Sequence, residues 1–167
     1  MAKHLIESHG LKLYKAELED VEQLRKSLSN ENLREISELY HDTPERLLPS
    51  MLDGDMAHVV KSGDTVLAFC GVYDGVMWTM FSKEIRKNWR RFVRASPELI
   101  TFYHHFYETL HCQVWSENEF IHNWLVHLGF LPEFAETDHY NNTLVHFVRC
   151  NFTGNSIHSD VSRPVMH

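Results

Sequence analysis

Cysteine, proline and glycine are scarce in this 167-residue chain, which contains 3, 5 and 7 of them, respectively. The cysteines, Cys70, Cys112 and Cys150, are far apart and form no C-x-x-C pair. Three separated thiols favour a reducing, cytoplasmic setting over a disulfide framework. No apolar stretch approaches the ~18 residues of a membrane span, and residues 1–9 lack the apolar core of a secretion signal. Neither membrane insertion nor export is predicted.

Basic residues are also few: the chain has 16 Lys and Arg and 23 Asp and Glu, which gives a net charge of −7. This balance argues against general nucleic-acid affinity. The 13 histidines form no H-x-x-x-H or H-E-x-x-H pattern, so no metal site is predicted. What is abundant is apolar and aromatic residues, at 43% and 12%, which predict one well-packed domain.

The first half of the chain changes from helical to strand periodicity. A short strand at 11–14 precedes three predicted helical segments, at 18–24, 30–39 and 44–52. Strands follow at 57–60, 65–73 and 76–81. Asp74-Gly75 between the last two is a strong signal for a two-residue hairpin turn, because that turn needs positive φ at both positions. These strands are therefore predicted to form an antiparallel meander.

The second half predicts a crossover helix, a strand, another helix and a closing hairpin. Residues 83–94 have helical spacing, and Ser96-Pro97-Glu98 either kinks this helix or begins a second one. The helical crossover makes the strand at 112–115 parallel to its predecessor. The final hairpin joins 132–139 to 143–148. The prediction is a single α/β (α+β) domain over residues 1–150, with a mixed, mostly antiparallel sheet flanked by helices, and a C-terminal tail over 151–167.

The stretch from Cys112 to Phe130 carries the most specific pattern. A short strand leads to Asn118, a good helix N-cap, then to an amphipathic helix, and then to Leu128-Gly129-Phe130, where glycine suits a left-handed helix end. This pattern resembles the second acetyl-CoA motif of the GNAT N-acetyltransferase superfamily, and more narrowly the GNAT-like proteins of short-tailed bacteriophages. The resemblance covers roughly residues 10–150 and implies a GNAT-like fold with a splayed sheet centre.

The resemblance also implies where acetyl-CoA would bind. The predicted cofactor-binding residues are Phe81, Ser82, Ile85, Arg86, Lys87, Asn88 and Asn118. The family loop is glycine-rich so that backbone N–H groups can approach the pyrophosphate, whereas residues 82–91 contain no glycine. The same segment begins a basic cluster that extends to Arg94, which is either a phosphate-binding surface or an ordinary solvated helix face.

The catalytic groups are less well defined. The family's tyrosine general acid would fall at Leu125, which cannot donate a proton. Glu84 and His122 are the candidates left, as a base near the strand end and as a proton carrier.

Two functions therefore stay open. One is an acetyl-CoA-dependent N-acyltransferase of the phage-encoded type, in which an amine attacks the thioester directly. The other is a catalytically silent GNAT-like protein with a structural or interaction role in a phage particle or its assembly. The 151–167 tail is a candidate contact for a protein partner. The expected location is the cytoplasm, of the host if the chain is phage-encoded, or the phage particle.

Overall fold

The computed structural model describes residues 3–54 and 56–151. The strands are β1 (Ile6–Ser8), β2 (Leu11–Lys15), β3 (Met56–Ser62), β4 (Thr65–Tyr73), β5 (Val76–Phe81), β6 (Thr109–Trp115), β7 (Leu131–Thr137) and β8 (Thr143–Cys150). The helices are α1 (Leu18–Lys26), α2 (Asn30–Glu38), α3 (Pro44–Ser50), α4 (Ile85–His104) and α5 (Glu119–His127). A short 3-10 turn, Met51–Asp53, follows α3.

Eight strands form one mixed sheet in the order β1-β2-β3-β4-β5-β6-β8-β7. Every neighbouring pair is antiparallel except β5 and β6, which are parallel, as the helical crossover predicts. The Asp74-Gly75 turn has φ values of 52° and 82°, which confirms the predicted hairpin. The first strand, β1, was not predicted, because three residues are too few to show an alternating pattern.

The sheet separates two hydrophobic cores. Alternation along β4 sends Ala68, Cys70 and Val72 to the core beneath α4 and α5, and Phe69 to the core beneath α1, α2 and α3. Burial on both faces explains why β4 is apolar almost throughout, unlike a strand with one wet face. The predicted single domain with a mixed sheet flanked by helices is confirmed for the described residues.

Helix α4 is continuous through Pro97. The alternative of a second helix beginning at Ser96-Pro97-Glu98 is therefore wrong. Pro97 cannot donate to the carbonyl of Val93, but it lies on the exposed side of the helix, where water can serve that carbonyl. On the opposite side, the Ser96 hydroxyl donates to the Phe92 carbonyl and accepts from the Trp124 indole N–H at 3.0 Å. This bond holds α4 against α5.

Within the described part of the chain, no helix combines the length and apolarity needed to cross a membrane. The predicted 151–167 tail lies outside the described residues apart from Asn151, whose backbone N–H donates to the Glu108 carbonyl at 2.9 Å. Its predicted contact with a partner stays a prediction.

Candidate functional site

The centre of the sheet is open. Strands β5 and β6 pair only at Val76–His111 and Met77–Cys112, and beyond these residues they diverge toward their C-terminal ends. The gap, called the splay below, is lined on its β5 side by residues 76–81 and on its β6 side by Cys112, Gln113 and Val114. Parallel strands that stop pairing leave space for an extended ligand between them.

A cleft of about 540 Å³ lies at the mouth of the splay. The first turns of three helices meet there, with Asn30 and Glu31 from α2, Ile85 and Arg86 from α4, and Glu119 from α5. Unpaired N–H groups give each helix N-terminus a partial positive charge. The same cleft is also lined by four carboxyl groups, from Glu31, Glu35, Glu117 and Glu119, and by two guanidinium groups, from Arg34 and Arg86, so its lining as a whole selects neither sign of charge.

Asn118 occupies the position that the sequence predicts. Its side-chain oxygen accepts from the Ile121 backbone N–H at 3.3 Å and caps α5. The residue also lines both the mouth cleft and the splay. Gly129 ends this helix with φ of 91°, as expected for a left-handed C-terminal position. Asn118 thus joins the helix start to the candidate site.

The loop between β5 and α4 lacks the free backbone N–H groups with which a phosphate-binding loop holds its ligand. The Ser82 N–H donates to the Leu67 carbonyl at 3.0 Å, and the Lys83 N–H to the Ser27 carbonyl at 2.7 Å. The Glu84 N–H donates to the Ser82 hydroxyl at 3.0 Å. Internal acceptors therefore occupy the backbone donors that a pyrophosphate would need.

The same pairing continues on either side. The Phe81 N–H donates to the Asn32 side-chain oxygen at 2.7 Å, and the Ile85 N–H to the Ser82 carbonyl at 3.1 Å. A helix start leaves four backbone N–H groups without an intrahelical acceptor. At α4, those of Glu84 and Ile85 are bonded to Ser82, and those of Arg86 and Lys87 remain. Cofactor phosphates would depend mainly on these residues.

The structure brings together only part of the predicted cofactor set. Ile85, Arg86 and Asn118 line the mouth cleft. Phe81 lines the splay but is only 5% exposed, packed against Trp89 and other aromatic rings. The remaining residues, Ser82, Lys87 and Asn88, do not line the mouth cleft or the splay. Ser82 is fully buried, and the Asn88 side chain donates to the Glu84 carbonyl at 2.9 Å.

Two ion pairs cross the mouth. Arg86 at the start of α4 bonds Glu31 of α2 at 3.1 Å. Arg34 of α2 bonds Glu117, just before α5, at 3.0 Å, and its guanidinium lies 4.7 Å from the centre of the Trp115 ring. Both pairs are solvent-exposed, so each contributes little to stability. An anion that binds Arg86 would replace Glu31.

Glu35 of α2 is a functional candidate that the sequence analysis missed. It lines both the splay and the mouth cleft. The Asn32 side-chain N–H donates to its carboxylate at 2.7 Å. Burial raises the pKa of Glu35 above its usual value, while hydrogen bonds from Asn32 and Asn118 partly oppose the shift. A half-buried carboxyl with a raised pKa beside an open cleft suits a general base.

Tyr40 and Cys112 lie in the same splay. About half of Tyr40 is exposed, at 51%, yet burial around its hydroxyl and the nearby Glu35 raise its pKa to about 12. The phenol is protonated at neutral pH, as an unperturbed tyrosine also is, and it can donate a hydrogen bond, although the raised pKa makes it a weaker acid. Burial also raises the pKa of the Cys112 thiol to about 12, which makes it a poor nucleophile.

The two predicted catalytic candidates lie apart from this group. Glu84 is the N-cap residue of α4, and its carboxylate is 3.9 Å from the Lys87 ammonium. The His122 Nε2 atom lies 3.2 Å from the Trp115 carbonyl oxygen, and the His122 ring is nearly perpendicular to the Phe147 ring. Neither lines the mouth cleft or the splay. Leu125, the family tyrosine position, lies on the buried face of α5. Tyr40, which lines the splay, is the phenol that could take the role of proton donor.

No local sequence pattern predicted Glu35 or Tyr40 as site residues, because they lie far along the chain from β5 and β6, the strands that form the splay. The Asn32–Glu35 spacing of three residues places both side chains on one face of α2, but only the tertiary structure shows what that face meets. Among the described residues, no cluster of three or more His, Cys, Asp or Glu side chains could hold a metal ion.

No protein-family model matches the sequence, and neither does any curated protein sequence. The fold of this chain does resemble those of solved structures. A GNAT-family acetyltransferase from Bacillus anthracis superposes with a TM-score of 0.66 at 13% identity, over 87% of this chain and 97% of that one. An N-acetyltransferase from Staphylococcus aureus Mu50 gives 0.63 at 13%, over 84% and 98%.

A spermidine N-acetyltransferase chimera from Vibrio cholerae and hSSAT gives a TM-score of 0.62 at 12% identity, over 84% of this chain and 95% of that one. The chain therefore has the fold of GNAT acetyltransferases, as the Asn118–Phe130 pattern predicts. Identities this low establish the fold and leave activity to be argued from the site.

Proposed function

We propose that this protein is an N-acyltransferase that takes its acyl group from acetyl-CoA or a related acyl thioester. The observation that carries the proposal is Glu35, a half-buried carboxyl with a raised pKa, beside the splay between β5 and β6. The splay fits the pantetheine arm, because strands that have stopped pairing expose backbone groups to an extended chain. The β5–α4 loop does not fit the pyrophosphate in the same way, since its N–H groups are already bonded.

When bound, the thioester supplies an activated carbonyl carbon. Glu35 accepts the proton of the acceptor amine, which must be neutral to attack. Tyr40 donates a proton toward the departing sulfur. Cys112 stays a neutral thiol and takes no part as a nucleophile, so the amine attacks directly. The choice of an amine as acceptor is supported by the spermidine N-acetyltransferase chimera of the same fold, whose named substrate is an amine.

A second candidate is a catalytically silent interaction protein with the same fold. The internally bonded loop N–H groups and the ion pairs across the mouth favour it, because both are satisfied without any ligand. Under either function, we propose that the chain is of the phage-encoded type, acting in the host cytoplasm or the phage particle. The identity of the genes that flank its own tests this origin.

Calorimetric titration with acetyl-CoA tests the enzyme proposal. The expected result is a dissociation constant in the micromolar range, or ~−8 kcal/mol. Asn118→Ala should weaken binding about tenfold or more, whereas Asn123→Ala, an exposed amide on the same helix, should not. Circular dichroism checks that both variants are folded. Absence of heat and of any thermal shift at millimolar acetyl-CoA would overturn acetyl-CoA as the donor.

A further inference from the structure

Between Arg86 and Arg94 the solvent face of α4 carries only positive charge, and the exposed Glu98, one turn further on, ends this run. At 100° per residue, Arg86, Lys87, Arg90 and Arg94 fall within about 100° around the helix axis. Lys83 lies just before the helix, and all five side chains are exposed. This set is called the basic stripe below. It is opposite to the side that buries Phe92 and Leu99, and it runs about 12 Å from Arg86 to Arg94.

A charged helix face is ordinarily only solvated, but this stripe has two additional properties. It is a patch of positive charge on a protein of net charge −7. Arg86 bonds Glu31 and Lys87 approaches Glu84, whereas no carboxylate of the described residues lies within 4.0 Å of Lys83, Arg90 or Arg94. Three cations therefore stay available to an external acidic partner.

The stripe also begins at the mouth of the splay, because Arg86 belongs to both. The site consequently has an open channel for a thioester arm and an unneutralised basic surface beside its entrance. What it lacks is a set of free loop N–H groups for the pyrophosphate of a nucleotide. A donor that fits these three features carries its acyl group on a phosphopantetheine arm, and the arm is attached to an acidic group larger than a nucleotide.

Resting on the proposed function, we propose that the basic stripe docks a small acidic carrier protein that bears the acyl group on a phosphopantetheine arm. Charge complementarity positions the carrier along α4, and the arm enters the splay past Arg86. The acceptor nitrogen forms the C–N bond as the C–S bond breaks. The amine proton goes to Glu35, the sulfur takes a proton from Tyr40, and the carrier leaves with a free thiol.

A nucleic acid would be the other partner for such a stripe. The observations favour the carrier protein, because the stripe is short and adjoins a thioester-sized channel. The net negative charge of the chain would also repel the rest of an extended phosphate backbone. Binding of an oligonucleotide is therefore an outcome that the experiment must include.

The experiment measures binding of three donors by titration: acetylated acyl carrier protein, acetyl-phosphopantetheine and acetyl-CoA. The test variant is Arg90→Glu/Arg94→Glu, and the matched control is Lys15→Glu/Arg46→Glu, which changes the charge equally away from the stripe. The test variant should weaken carrier binding at least tenfold and leave acetyl-phosphopantetheine unchanged. The control should change neither. Carrier binding should also weaken as salt is raised.

The outcomes separate this inference from the proposed function. If acetyl-phosphopantetheine or acetyl-CoA binds but the carrier binds no better, or is insensitive to the stripe variant, carrier docking is wrong and the acyltransferase stands. Stripe-dependent binding of a DNA or RNA oligonucleotide, without carrier binding, likewise overturns the docking proposal. If none of the three thioesters binds, the acyltransferase itself is wrong.

Discussion

Asn32 joins the candidate base to the sheet and offers a sharp test of how the site is held. It is 4% exposed. Its side-chain oxygen accepts from the Phe81 backbone N–H at 2.7 Å and from the Ser29 hydroxyl at 3.0 Å. Its side-chain nitrogen donates to Glu35 at 2.7 Å. One amide thus links α2, the end of β5 and the splay.

Asn32→Ala removes these bonds together. Leaving the buried Phe81 N–H without an acceptor costs about 1–3 kcal/mol, and the lost bond to a carboxyl group adds a further ~1 kcal/mol or more. The higher helix propensity of alanine returns about 0.5 kcal/mol. The expected loss of unfolding free energy is about 3 kcal/mol, or a fall in Tm of about 6–12 °C for a domain of this size.

Urea unfolding followed by tryptophan fluorescence measures this loss, with calorimetry for Tm. Ser37→Ala, an exposed change on the same helix, is the control and should shift the free energy by under about 0.5 kcal/mol. Asn32→Asp keeps the acceptor for Phe81 but places a second acid beside Glu35, so its deficit should grow as pH rises. A loss below about 0.5 kcal/mol for Asn32→Ala would refute the supporting role of this amide.

Two further predictions concern charge at the site. Burial raises the pKa of Glu35 above its usual 4.5, so folding disfavours the carboxylate, and the wild type should lose stability as pH rises from about 4.5 through the folded pKa. Glu35→Gln should therefore match the wild type in urea unfolding at pH 4 and exceed it at pH 8; a difference independent of pH would contradict this. Glu31→Gln frees Arg86 from its 3.1 Å pair and should tighten acetyl-CoA binding about threefold or more in titration, whereas an unchanged dissociation constant would exclude Arg86 from phosphate binding.

Local signals determined the elements that bear the candidate site. The Asp74-Gly75 turn needs positive φ at adjacent residues, and Asn118 and Gly129 mark the two ends of α5 through their own backbone requirements. Such signals act over a few residues, so they are legible in sequence. Pro97 was ambiguous for the same reason: whether a helix continues past proline depends on what surrounds the unbonded carbonyl, which is not a local property.

The tertiary structure alone decided which polar groups meet. Glu35 and Tyr40 precede β5 by about 40 residues in the sequence, and they enter the splay because α2 packs across the ends of β5 and β6. The same packing brings Ser27 to the Lys83 N–H, so the glycine-free loop is bonded internally as well as altered in sequence. Sequence determines where the chain turns and which faces are apolar. Long-range packing determines which carboxyl is half-buried, and hence where acid–base chemistry is available.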